Sequence, residues 1–570
     1  MIPREERIHN LVENPEISVL IVGGGINGIG TFLDLALQGI DVVLVDRGDY
    51  CSGASAASSH MVHGGIRYLE NGEFRLVREA VKERNRLLEN APHLAKPLAT
   101  TFPIFRWFSG LLNAPLKFLR LIDKPAERGA IVIKLGMLLY DFYTRKQKTV
   151  PKHVFKNRAT SINQFPLINP DIIFTGTYYD GSMPSPERIA LELITDATFE
   201  SNLAIPMNYM SVVSAKGNQV VLQDEIDRST ISVNPKIVIN AGGPWIDQIN
   251  KSIGLETEYI GGTKGSHIIV TNSELRDAIG ENEFFFENED GRIVLIYPLD
   301  DKVLIGTSDI QFDDPDQAII TDEEVQYFID MVKKVFPTID VNPSQIVFTF
   351  SGVRPLTNSR ARLTSQISRD HEIKINEPDE ELHFPIYSLI GGKWTTYRAF
   401  SEQICDLVLR RLGTDRIRST KNYKIGGGKD YPSTQVERER YISILLAQSD
   451  LDREGLETLF SRYGTKVTGM LNSFDTKNDR QLQFYADLST AEISHIVQYE
   501  DVVHLDDFIF RRTMLGKLGC ITSEGLDEIG TIIGQIQGWD DARISQEIKR
   551  VIDLLKTRHR MNFNKYIEGH

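Results

Sequence analysis

Cysteine is scarce in this chain: three among 570 residues, Cys51, Cys405 and Cys520, with no CxxC pair. Such spacing excludes a disulfide framework and points to free thiols in a reducing compartment. Long apolar runs are missing as well. No stretch of about 18 uninterrupted apolar residues occurs, so a membrane-spanning helix is not expected. The opening MIPREERIHNLVENPEIS is polar and holds no signal-peptide core, so export is not expected either. Positive charge is outweighed, 64 Lys and Arg against 78 Asp and Glu for a net charge of −14, which argues against a nucleic-acid binder. These absences leave a cytoplasmic protein, or one peripheral on the inner face of the cell membrane. With 41% hydrophobic and 25% charged residues the composition is that of a globular chain. Its length allows two or three domains of about 100–200 residues each.

What is present begins with SVLIVGGGINGIGTFLDLALQGIDVVLVD from Ser18. An apolar strand meets Gly23, Gly25 and Gly28 in GxGxxG, a helix is predicted over Ile29 to Gln38, and a second strand ends at Asp46. Gly23 serves a tight turn, Gly25 close approach of a pyrophosphate, and Gly28 helix–strand packing. The helix N-terminus favours an anion, and Asp46 suits a ribose diol. Two further strand–glycine turns follow, KIVINAGGPWID (Lys236–Asp247) and SLIGGKWTTYRAF (Ser388–Phe400), the second opening a helix from about Thr395. Glycine turns at separated points suit FAD, whose binding half is assembled from distant pieces of chain, better than NAD. A helix N-terminus aimed at the flavin could hold negative charge on the reduced ring.

With these pieces in view, the chain resembles the FAD-dependent glycerol-3-phosphate dehydrogenases, including the related alpha-glycerophosphate oxidases. HGGIRYLENGEFRLVREAVKERNRLLENAPHL, KGSHIIV, LIGTSD, SGVRPL, SRDH and DDFIFRRTMLG carry the likeness across most of the chain. The resemblance implies an α/β and α+β fold: a glutathione-reductase-type FAD domain interleaved with an antiparallel-sheet substrate domain, then an all-helical C-terminal domain. The expected body is 1–425, with FAD segments at about 17–75, 160–255 and 345–415 and substrate segments at about 76–159 and 256–344. GGGKDYP (Gly426–Pro432) reads as a linker. From 430 to 570 apolar residues recur at helical spacing, as in ISQEIKRVIDLLK. The implied cofactor contacts are Gly23, Gly25, Gly28, Asp46, Arg47, Ser58, Ser59, Gly64, Gly65, Gly242, Trp245, Gly392, Lys393, Trp394 and Thr395. Within them, the Gly64–Gly65 backbone is expected against the flavin ring.

Oxidising a secondary alcohol with a flavin needs a hydride acceptor, a base and polarity at the developing oxyanion. A phosphorylated substrate also needs fixed cations, for which arginine's planar fork is best suited. The catalytic candidates are His63, His267, Arg67, Arg354 and Lys393, with Arg67, Tyr68, His267, Arg354, Arg369 and Lys393 facing substrate. His63 and His267 compete for the role of base, for which an unperturbed imidazole, with a pKa of roughly 6.5, is suited near neutral pH. No metal site is expected.

The chain departs from its relatives at two points. His60 stands where they commonly carry lysine, in a segment bordering the flavin. In YYDGSMPSPERIALE, Pro184-Ser185-Pro186 replaces paired carboxylates while Arg188 is kept. Proline removes backbone donors and restricts its predecessor, so a pocket lined by this loop would suit a different polyol phosphate. A third feature is residues 106–148, rich in Phe and Leu, with nine Lys and Arg against three Asp and Glu, a local charge of +6. Basic charge beside large apolar groups suits an interfacial helix on anionic lipid, or else a buried helical hairpin. The expected activity is oxidation of sn-glycerol 3-phosphate to dihydroxyacetone phosphate by hydride transfer from C2 to FAD, with electrons passed to a membrane quinone. Open alternatives are oxygen as acceptor, another polyol phosphate, or a flavin-binding regulator without turnover. Self-association into a homo-oligomer is left open.

Overall fold

The strand Glu16–Val22 is built from β-branched and leucine side chains, and Val19, Leu20 and Ile21 are fully buried. Burial on both faces is the mark of a central strand in a parallel sheet. The computed structural model describes residues 2–65, 74–107, 130–144, 149–288, 292–358, 370–474 and 479–561. In it, Glu16–Val22 lies inside an eight-stranded sheet in the order Glu372–Asn376, Ile386–Ile390, Thr230–Asn240, Glu16–Val22, Val42–Val45 and Ala204–Met207. Along this path neighbours pair in parallel except the antiparallel edge strand Glu372–Asn376, and the two remaining strands, Gln219–Asp224 and Met210–Lys216, continue from Thr230–Asn240 in antiparallel pairing. The helix Ile26–Ala36 packs on this sheet beside the helices Pro186–Glu200 and Tyr397–Leu412.

A second sheet of ten strands carries the other half of the body. Its neighbours are antiparallel apart from Asn282–Glu287 against Lys96–Ile104, so its orientation is mixed. The linear division into FAD and substrate segments needs correction here. Phe174–Ser182, Ile346–Arg354 and Met61–Val62 fall inside the ranges assigned to FAD, yet all three belong to this second sheet. Phe174–Ser182 pairs along its whole length with Lys96–Ile104. The chain passes repeatedly between the sheets, and pairing partners chosen over long range override sequence neighbourhood.

Beyond residue 434 the described elements are helical, including Gln435–Gln448, Arg453–Tyr463, Thr490–Tyr499, Ser523–Gln537 and Asp541–His559. Thr434, Asp452, Ser489, Thr522 and Asp540 cap their helices through side-chain oxygens, the function such residues serve at helix starts. GGGKDYP is not a loose linker. Gly427 and Gly428 are buried, and a Cβ on either would lie within 2.2 Å of a backbone oxygen of Tyr463 or Asn90. The amide of Gly426 donates to Asp196 at 2.8 Å. These glycines form a seam between the body and the helical region.

Candidate active site

A cavity of about 1140 Å³ runs between the two sheets. It exceeds the roughly 300–1,000 Å³ typical of a site for one drug-sized ligand. At one end the GxGxxG turn closes on the sheet. Gly23 has φ +115°, and a Cβ at Gly28 would sit 2.0 Å from the carbonyl oxygen of Gly23, so glycine is required at both points. Asp46 accepts from the amides of Gly24 at 2.6 Å and Gly48 at 2.8 Å. Burial pushes its carboxyl up to about 6 against those two donors. Arg47 lies 4.8 Å over the Trp245 ring and pairs with Asp316 at 2.5 Å; the Trp245 indole donates to the same carboxylate at 3.1 Å.

The opposite end is built on the second sheet. His267, on the strand Thr263–Val270, stacks on Phe350 with ring centroids 4.7 Å apart. Its Nε2 lies 2.8 Å from Ser59 Oγ, while its buried Nδ1 has no partner among the described residues. Burial, and then the charge of Arg354, push this imidazole down to about 3. Arg354 donates to Thr307 Oγ1 at 2.9 Å and to Asp309 at 3.2 Å. Glycine makes room for both groups: a Cβ at Gly306 would meet the His267 ring at 2.2 Å, and one at Gly265 would meet the Arg354 guanidinium at 2.3 Å. His63 lines the cavity, its amide donating to Thr395 Oγ1 at 3.1 Å, and the Trp394 indole holds the Ser55 carbonyl at 2.9 Å.

Among the sequence candidates, Gly23, Gly25, Asp46, Arg47, Ser58, Ser59, His63, Gly65, Gly242, Trp245, His267, Arg354, Gly392, Lys393, Trp394 and Thr395 all line this one cavity. Gly28 packs behind it. Gly64 does not face the cavity: a Cβ there would run into Tyr140 Oη at 2.3 Å and Val81 at 2.5 Å, so its glycine serves packing on the far side. Arg67, Tyr68 and Arg369 lie outside the described residues, as do 108–129 and 145–148 of the basic apolar segment.

Both departures resolve away from the cavity. His60 is fully buried, neither in solvent nor on the lining, with Nδ1 2.7 Å from the Pro184 carbonyl and Nε2 3.5 Å from Lys517. Lys517 in turn donates to Glu187 at 2.5 Å. Pro184-Ser185-Pro186 starts the helix Pro186–Glu200 and is absent from the lining, and Arg188 pairs with Glu500 at 2.6 Å. The loop therefore gives no ground for a changed substrate. Sequence reasoning missed Asp316, Thr307, Phe350, and Arg558 and His559, which reach the cavity from the end of the last described helix. Thr307 sits in LIGTSD, a motif whose residues received no role; nothing in the sequence marks the other four.

The fold and cavity fit an extended dinucleotide, and comparison with known proteins agrees. The family model described as FAD dependent oxidoreductase matches residues 18–374, and that of the C-terminal domain of alpha-glycerophosphate oxidase matches 418–544. A glycerol-3-phosphate dehydrogenase of Synechocystis sp. is 30% identical over 95% of this chain and 96% of its own. An aerobic glycerol-3-phosphate dehydrogenase of Staphylococcus haemolyticus is 30% identical over 90% of this chain and 89% of its own. In fold, the chain is similar to the glycerol-3-phosphate dehydrogenase of Bacillus halodurans complexed with FAD. The TM-score is 0.75 at 23% identity, with 97% of both chains covered.

Proposed function

The chain belongs to the family of FAD-dependent glycerol-3-phosphate dehydrogenases and oxidases, and on that premise we propose that it oxidises sn-glycerol 3-phosphate at C2 to dihydroxyacetone phosphate. The observation that carries this reading is one cavity lined both by the glycine turn, suited to a dinucleotide, and by His63, His267, Arg354 and Lys393. Bound FAD supplies the acceptor for the hydride leaving C2.

The protein's own residues supply binding and proton chemistry. Arg354 and Lys393 set fixed positive charge where a phosphate would lie, and Arg67 and Arg369 are assigned the same role on sequence alone, with Tyr68 beside them. His63 takes the hydroxyl proton. His267, held neutral by burial and by Arg354, is a poor proton sink and acts as a neutral hydrogen-bonding group, anchored by Ser59. Gly23, Gly25, Asp46, Arg47 and Trp245 hold the nucleotide end.

Electrons pass to a quinone in a membrane. The helix Ala130–Thr144 exposes Ile131, Leu135, Leu138 and Phe142 by 44%, 58%, 50% and 53%, on one face at helical spacing. No helix among the described residues is long and apolar enough to cross a membrane. An apolar stripe in a segment of net charge +6 suits the surface of an anionic bilayer.

Anaerobic mixing with sn-glycerol 3-phosphate tests the reaction. The flavin absorbance of the holoenzyme should bleach. The His63→Gln variant should bleach about 100-fold more slowly or worse, and His267→Gln should be less affected. Flavin that stays oxidised in the unaltered enzyme overturns the assignment. Oxygen uptake with and without a quinone analogue tests the acceptor: turnover that needs only oxygen would replace the quinone.

A further inference from the structure

His63 is pinned on both sides. Its own amide is held by Thr395 at 3.1 Å. The peptide that follows is held by the amide of Gly64, which lies 3.0 Å from both Tyr140 Oη and Asp180 Oδ1. The groups receiving that amide are bonded to one another and to Arg84. Arg84 donates from one nitrogen to Tyr140 Oη at 2.7 Å, to Asp180 Oδ1 at 3.1 Å and to the Tyr179 carbonyl at 2.6 Å. Its remaining nitrogens go to Asn85 at 2.9 and 2.6 Å. The Tyr140 hydroxyl, accepting from Gly64 and Arg84, donates its proton to Asp180. Arg84 and Asp180 are fully buried and Tyr140 nearly so.

Taking an arginine and an aspartate out of water costs about as much as their pairing returns, so stability alone is a weak reason for this triad. What it does is fix a peptide plane. Holding the amides on both sides of His63 sets the two backbone dihedrals from which its imidazole projects. We propose that Arg84, Tyr140 and Asp180 are positioning residues for His63, a latch that fixes the direction of its imidazole in the cavity. The inference rests on the reading of His63 as proton acceptor. Tyr140 also lies on the helix with the exposed apolar stripe, so a single side chain joins that surface to the His63 backbone.

The Tyr140→Phe holoenzyme tests the latch, because it keeps the ring and removes only the hydroxyl. Three readouts are expected. Bound FAD is retained, the substrate-driven bleaching rate falls about 10- to 100-fold, the scale of a roughly 1 Å misplacement, and KM changes by less than about threefold against that loss. Hydrogen exchange at the Gly64 amide, measured without substrate, rises at least about tenfold, a loss of about 1.4 kcal/mol of protection. Should Tyr140→Phe lose flavin, Asp180→Asn is used, which keeps an acceptor for Gly64 and should show smaller changes of the same kind. Unchanged bleaching and unchanged Gly64 exchange in a flavin-loaded variant overturn the latch. Failure of the unaltered enzyme to bleach overturns the reaction instead. In that event faster Gly64 exchange still supports the clamp on His63, and unchanged exchange overturns it.

Discussion

Asp46 shows how one carboxylate can make cofactor binding depend on pH. Burial raises its pKa to about 6, and the amides of Gly48 and Gly24 offset only part of that cost. An acid whose folded pKa is raised is protonated over a wider range in the protein than in water. On the proposed contact, ribose hydroxyls donating to Asp46 would favour the ionised form, so binding FAD should release a proton below about pH 6. The sign follows directly. Above pH 6 the carboxylate is ready to accept and affinity is full; as pH falls through about 6 affinity weakens, by up to about tenfold per unit. Titrating the apoprotein with FAD by fluorescence quenching from pH 7.5 to 5 checks this. The Asp46→Asn variant should bind more weakly at pH 7.5 and show a flatter profile, and equal slopes for the two proteins would refute the linkage. Burial, and then the charge of Arg354, push the His267 imidazole down to about 3, so its usefulness does not lie in carrying charge.

At the scale of elements, the helix Ala130–Thr144 has two faces with different work. Ile133, Met137 and Tyr140 are buried against Val77, Val81 and Tyr178, while Ile131, Leu135, Leu138 and Phe142 stand outside. Leu135→Glu combined with Leu138→Glu should leave folding nearly unchanged, since substitutions at exposed positions usually stay within about 0.5 kcal/mol. Each leucine buried in lipid is worth about 1.5–3 kcal/mol, so flotation with anionic vesicles should fall about 100-fold or more, while activity with a soluble dye acceptor is kept. Undiminished flotation would remove this helix from the membrane face. The sequence was legible where local rules suffice. The GxGxxG turn, Asp46 and the helical spacing of apolar residues beyond 430 were all readable because glycine sterics and helix periodicity act over a few residues. Phe174–Ser182 was misplaced because the strand it joins is chosen by a partner about 80 residues away. Gly64 was read as making room for flavin because a sequence does not show which way a glycine faces.

Over the whole molecule, the helical region is not an appendage. Its Phe510, Ile529, Ile533, Val551 and Leu555 share one core with Ile269, Leu304 and Phe348 of the second sheet. Arg558 donates to the Asp316 carbonyl at 2.7 Å, and the His559 ring stacks on Phe348 with centroids 4.1 Å apart. The polar fastening is Asp49, three residues past Asp46 and fully buried between Arg511 and Arg512. Burial opposes its ionisation, but the charges of Arg512 and Arg511 outweigh burial and hold the carboxyl below its ordinary range. A depressed carboxylate stabilises the folded state above its unfolded pKa, about 3.9, and that contribution is lost only as pH falls through the lower folded value. The fastening should therefore hold at every pH where FAD binds. Asp49→Asn leaves two buried guanidiniums short of a partner, a defect costing about 3–5 kcal/mol when nothing compensates; Arg511 keeps Asp506 and Asp507, so the lower end is expected. Unfolding of so large a chain need not be two-state, so the readouts are the temperature at which flavin fluorescence appears and limited proteolysis at 25 °C. Because the helical region shares a core with the cavity wall, flavin release and cleavage beyond residue 430 should shift together to milder conditions. Cleavage of the helical region with flavin release unmoved would show that the cavity stands without it.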